Sequence, residues 1–237
     1  MPRTPRSLVG AGPPPAVVGT VSAALFCTSL VVAAVAPEEP YPRPGADALT
    51  ISAWFARHGG VAEVVAFFQI AASVPLAIYA AAMHSRLQAL GLRNAGPTIA
   101  LSGGLAAAGS LALGGCLLWS LGAHPVPDPA TAGLLHALVF VLGGPVHVVG
   151  LGLLVAGVAV PGLLVQLLPR WVAVTGIALG AVGQVCTLAL LVDPLAYLVP
   201  LARFGGLAWL VLAALLLPRN RLRTGSTTAR RTTAPGT

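Results

Sequence analysis

The chain contains no lysine, and only 8% of its 237 residues carry charge. A water-facing globule covers itself with charged side chains at several times that density, so a soluble domain of this length is excluded. Cysteine is also scarce. Cys27, Cys116 and Cys186 lie in three separate apolar stretches with no CxxC spacing, which argues against a disulfide framework or a structural zinc site. They read as small apolar residues. Sequence signatures of catalysis are missing too: there is no HExxH, no GxSxG, no Walker loop and no dinucleotide fingerprint. The glycine-rich stretches fall inside apolar runs, where a phosphate-cradling loop could not operate. No catalytic residue, metal site or cofactor is expected, and no enzyme activity is assigned.

What is present is hydrophobic length. Residues are 57% hydrophobic and mean hydropathy is +0.89, concentrated in six stretches at about 16–36, 61–83, 97–120, 132–160, 171–192 and 196–217. A bilayer core of about 30 Å needs roughly 20 apolar helical residues, and each stretch meets that. The expectation is an all-α, polytopic six-helix transmembrane bundle over 1–217, followed by a disordered basic tail over 218–237. Arg3 and Arg6 before the first stretch imitate a signal peptide, but the run is too long for a signal h-region and ends against Pro37. It reads as a retained first helix.

All thirteen basic residues are arginines, which fits the coding bias of a GC-rich genome. Their placement sets topology and gives no reason to expect nucleic-acid binding. With the amino terminus inside, Arg3, Arg6, Arg86, Arg93, Arg170, Arg219, Arg221, Arg223, Arg230 and Arg231 face the cytoplasm, while Arg43, Arg57 and Arg203 lie on the outer side. Ten against three is a strong positive-inside bias. Both termini are therefore expected in the cytoplasm, the protein in the plasma membrane, and the tail arginines on anionic lipid of the surrounding bilayer.

The loops carry their own punctuation. The longest, about 37–60, opens with a proline-rich extended stretch. It continues through Leu49, Trp54, Phe55, Arg57 and His58 to Gly59-Gly60. This predicts a short interfacial helix broken at the glycine pair, with a continuous first turn of the next helix as the alternative. Asp128-Pro129 and Asp193-Pro194 are N-cap and N1 pairs. Gly176, Gly180 and Gln184 share one helical face, suited to close helix packing within the subunit or, alternatively, to a homodimer. Pro75, Pro145 and Pro200 each favour a kink.

Ionisable groups within a membrane need explaining. Glu63, His136, His147 and Arg203 stand out, with Gln69, Ser73 and Gln184 as secondary polar residues. By the topology above, Glu63, His136 and Arg203 share the outer leaflet, so Glu63 and Arg203 could pair. His147 follows His136 by eleven residues, about three turns, and lies on nearly the same face about 16 Å deeper. One arrangement is an outward-facing polar cavity lined by all four. The other is an outer-leaflet ion pair with both histidines bonded to backbone. Haem between facing histidines is disfavoured, because His58 and His84 sit at the two membrane surfaces and do not match the levels of His136 and His147.

The motifs Leu168-Pro169-Arg170-Trp171, Arg203-Phe204 with Trp209, and the Trp54 segment resemble those of a large group of uncharacterised six-helix membrane proteins of actinobacteria. The resemblance implies a plasma-membrane bundle and carries no assigned activity. The functional expectation is a structural or accessory membrane protein with protein partners still to be identified. The alternative is a small transporter or channel-like protein using the Glu63, His136, His147 and Arg203 cavity.

Overall fold

The computed structural model describes residues 13–124 and 126–218. Among them all regular structure is helical. The expectations for Arg3, Arg6 and the tail from residue 219 onward lie outside the described residues. Seven α-helices form: α1 Pro15–Val35, α2 Ala48–Ala89, α3 Ala95–Ala123, α4 Pro129–Val141, α5 His147–Leu164, α6 Arg170–Val185 and α7 Leu198–Leu216. A π-turn, Leu142–Val146, joins α4 to α5. Two 3₁₀ turns, Cys186–Leu190 and Asp193–Tyr197, join α6 to α7. Counted as continuous spans, six helices are long and apolar enough to cross a membrane. This is the architecture of a multi-pass membrane protein.

Local chemistry sets the starts. Asp47 caps α2 by accepting from Thr50 N at 2.9 Å, and Asn94 caps α3 by accepting from Gly96 N at 3.2 Å. Asp128 caps α4 through Ala130 N and Thr131 N, with Pro129 at the first helical position, as the sequence spacing predicts. Thr50 and Thr131 also donate their hydroxyls to these carboxylates, which holds Asp47 and Asp128 below the usual carboxylate range.

The expected break beside the glycine pair is present in α2 as a kink one residue earlier. α2 runs from Ala48 to Ala89 and kinks at His58, where φ is −119° and ψ is 24°. The helix continues through Gly59 because α3 needs that glycine for a close approach. A Cβ placed on Gly59 would lie 2.5 Å from Gly122 O, and one on Gly122 would lie 2.6 Å from Gly59 O. The first turns of α2 do not lie flat on headgroups either. Trp54 and Phe55 are buried, because the preceding loop folds over them: Tyr41 meets Trp54 at 5.0 Å between centroids, and Trp54 Nε1 donates to Glu39 O at 3.2 Å. Burial pushes the Tyr41 phenol well above its ordinary value.

The helices close into a ring. α1 packs on α2, α2 on α3, α3 on α5, α5 on α6 and α6 on α7, and α7 returns to α1. α5 is the most enclosed, touching α3, α6 and α7. The face of α6 bearing Gly176, Gly180 and Gln184 is occupied within the chain: Gly180 faces Ala156, Gln184 Nε2 donates to Val149 O at 3.1 Å, and Gly176 packs under Trp209. Without a hydrophobic driving force in lipid, such small-residue seams and interhelical hydrogen bonds hold the helices together. Pro75 lies inside α2 with helical dihedrals around it, and Ser22 of α1 donates to Ala72 O beside it at 2.8 Å. Pro200 falls in the first turn of α7, where proline is tolerated, so the expected kink there does not form.

Candidate functional site

The π-turn interrupts the span from α4 to α5, and its cause is the run Leu142-Gly143-Gly144-Pro145-Val146. Pro145 has no N–H to give the ladder, and two preceding glycines ease the widening. The His147 N–H turns to Gly144 O, so the usual α-helical bond from that N–H to Gly143 O is not made. Arg203 of α7 donates Nη2 to Gly143 O across the helix interface.

Around this bond lies a small aromatic and polar cluster. The Arg203 guanidinium carbon sits 5.1 Å from the centroid of the Phe26 ring on α1, within cation–π range. The same ring stacks with His147, 6.2 Å between centroids and 17° between planes. His147 is buried, and its Nδ1 lies 2.9 Å from Ala107 O of α3. A carbonyl only accepts, so Nδ1 carries the proton. Ser110 donates to the same oxygen at 3.0 Å. Arg203 Nε is buried with no hydrogen-bond partner among the described residues. Beside Arg203, Ala202 packs with Val148, Val199 and the buried Cys186.

The four sequence candidates therefore go to three places. Arg203 and His147 share the cluster described above. His136 is buried under the outer-loop aromatics, 5.5 Å from the Tyr41 ring and 6.1 Å from the Phe55 ring between centroids. Glu63 lies on the α2–α3 surface with Val64, Phe67, Ile70 and Trp119 around it. The expected Glu63–Arg203 ion pair does not form. The one ion pair among the described residues joins Arg57 to Glu39 at 2.7 Å. The reason is the face and level of α2: Glu63 lies toward α3 beside Trp119, whereas α2 bonds to α7 from Tyr79 and Arg86, more than four turns further along. The common polar cavity predicted from these four residues does not assemble. Of the secondary residues, Ser73 bonds within its own helix to Ile70 O at 2.7 Å and Gln184 reaches α5, while Gln69 is half-buried on α2.

Sequence reasoning missed Phe26, Ala107 O and Gly143 O. Two of these are backbone atoms, which no residue pattern advertises. Phe26 sits near the middle of an apolar helix and looks there like any lipid-facing residue. Compared with known protein families, curated proteins and solved structures, the chain matches none.

Proposed function

We propose that this is a structural or accessory protein of an actinobacterial plasma membrane, with both termini cytoplasmic. It acts as a rigid six-span scaffold for lipid or protein partners. The observation that supports this reading is where the buried polar side chains go. His147 is bonded to Ala107 O, Arg203 to Gly143 O, Tyr79 to Leu210 O, Trp209 to Val172 O and Arg86 to Ala214 O. Each ties one helix to the backbone of another. Groups used in this way clamp a bundle. They do not line a route through it.

A second reading, a small transporter or channel-like protein, is favoured by one observation. Arg203 holds a buried, unpartnered Nε with no carboxylate in ion-pair reach among the described residues, and such a cation attracts small anions.

Thiol labelling separates the two. With Cys27, Cys116 and Cys186 replaced by alanine, a Gly143→Cys variant fits, since a Cβ there meets nothing within 4 Å. The scaffold predicts that this thiol ignores a membrane-impermeant reagent while an Ala46→Cys control in the outer loop reacts. Labelling at 143 from the aqueous side would overturn the scaffold and favour a water-accessible path.

A further inference from the structure

The surface between α2 and α3 carries a feature that the scaffold does not use. At the Gly59–Gly122 crossing the two backbones touch, and a Cβ on Gly122 would also lie 3.1 Å from Glu63 N. One turn from the crossing on each helix, Glu63 and Trp119 come to line one groove. It holds about 470 Å³ and is completed by Val64, Phe67 and Ile70. Val64, Phe67 and Trp119 are all exposed on the outside of the bundle. Glu63 makes no hydrogen bond and no ion pair among the described residues.

A carboxylate on a face that otherwise suits hydrocarbon demands a complement. Three features define it. The group that best complements Glu63 is a cation rich in N–H donors, because carboxylate oxygens accept and charge-assisted bonds are the stronger ones. Next to it, the faces of Trp119 and Phe67 favour a cation. Beyond it must come an apolar body, because Ile70 lies seven residues further along α2, about 10 Å deeper at 1.5 Å per residue. Glu63 is five residues past the kink at His58, about 7 Å, and under the topology proposed above it lies near the boundary between headgroups and acyl chains. An ammonium at that boundary above an acyl chain is a description of an aminophospholipid.

We propose that this groove binds one phosphatidylethanolamine molecule of the leaflet at the His58 end of α2. Its ammonium bonds to Glu63, and an acyl chain lies along Phe67 and Ile70. A second copy of the chain is a poorer occupant. A symmetric pair formed through this face brings two Glu63 carboxylates into one interface and no arginine from the groove to meet them.

The test is native mass spectrometry of delipidated full-length protein offered dioleoyl phosphatidylethanolamine, phosphatidylcholine or phosphatidylglycerol in equal amounts. Choline keeps the cation but has no N–H; glycerol has no cation. Wild type should retain one phosphatidylethanolamine about tenfold over either competitor, and Glu63→Gln should lose that preference. Glu63→Gln conserves shape, and an unchanged helical circular dichroism spectrum confirms that it folds. Trp119→Leu should weaken retention while Trp171→Leu, on α6, leaves it intact. Equal retention of the three lipids, or a preference that survives Glu63→Gln, overturns the proposal. So does a Glu63-dependent dimer, or a polypeptide that co-purifies on this face and is not displaced by the lipid.

Discussion

Arg203 of α7 donates to the carbonyl of Gly143 at the π-turn, and the bond fastens α7 to the break in the fourth span. The guanidinium is held from its other side by the Phe26 ring. Neither partner is acidic. The arginine is anchored by a backbone dipole and an aromatic face, and these two supports have separable contributions.

Replacing Arg203 by alanine removes a charge-assisted hydrogen bond and should lower stability in detergent by about 2 kcal/mol. Phe26→Leu keeps the bond and removes the ring, and should cost about 1 kcal/mol beyond the packing change. In a double-mutant cycle read by thermal unfolding, the two should couple, because one contact is lost in both. Strict additivity would show that the ring does not support the guanidinium.

Glu63 and Arg203 should behave independently. Combining Glu63→Gln with Arg203→Gln should give the sum of the single effects to within about 0.5 kcal/mol. An exchange variant, Glu63→Arg with Arg203→Glu, should be worse than either single change. Recovery in the exchange variant would mean that the two side chains meet after all.

The glycines divide sharply. Gly59→Ala and Gly122→Ala each place a methyl group against backbone and should destabilise by about 1–3 kcal/mol, the range for overpacking. Gly60→Ala and Gly109→Ala point their new methyl groups into open space within helices, and should be neutral or stabilising by up to about 1 kcal/mol. Thermal unfolding of the four variants in one detergent checks the contrast. Equal losses at Gly59 and Gly60 would remove the close crossing from the account.

Acid should loosen the helix starts. Asp47 and Asp128 have folded-state values held below the ordinary 3.8 by hydrogen bonds from Thr50 and Thr131. A depressed value means that the stabilisation is fully present above the unfolded value and is lost as pH falls through the folded one. The melting temperature should therefore hold down to about pH 4 and drop below it. A double Asp47→Ala and Asp128→Ala variant should start lower at pH 6 and show a shallower fall. A fall of undiminished steepness would assign the acid sensitivity to other carboxylates.

The spans were legible because a bilayer imposes one crude requirement, a long apolar helix, and composition states it directly. The Asp128–Pro129 start was legible because capping is local. The site was not, because it depends on which helices become neighbours. Glu63 and Arg203 agree in depth from sequence, yet depth says nothing of position around a ring. Of the two arrangements read from sequence, the one with histidine bonded to backbone holds for His147 and Ala107 O, whereas Arg203, which it paired with Glu63, found the carbonyl of Gly143. Gly59 looked like a break because glycine weakens helices; the kink falls one residue before it, and the glycine is also the point where two helices touch.

The return of α7 to α1 gives assembly a direction. Tyr79 of α2 bonds to Leu210 O at 2.7 Å, and Arg86 bonds to Ala214 O and Leu217 O. During synthesis the Tyr79 hydroxyl enters the bilayer well before its acceptor exists. Until α7 arrives that hydroxyl must be borne by water, a lipid headgroup or an insertion chaperone. A ribosome that stalls before α7 leaves the α2 side of that seam open, a mark that membrane proteolysis can read.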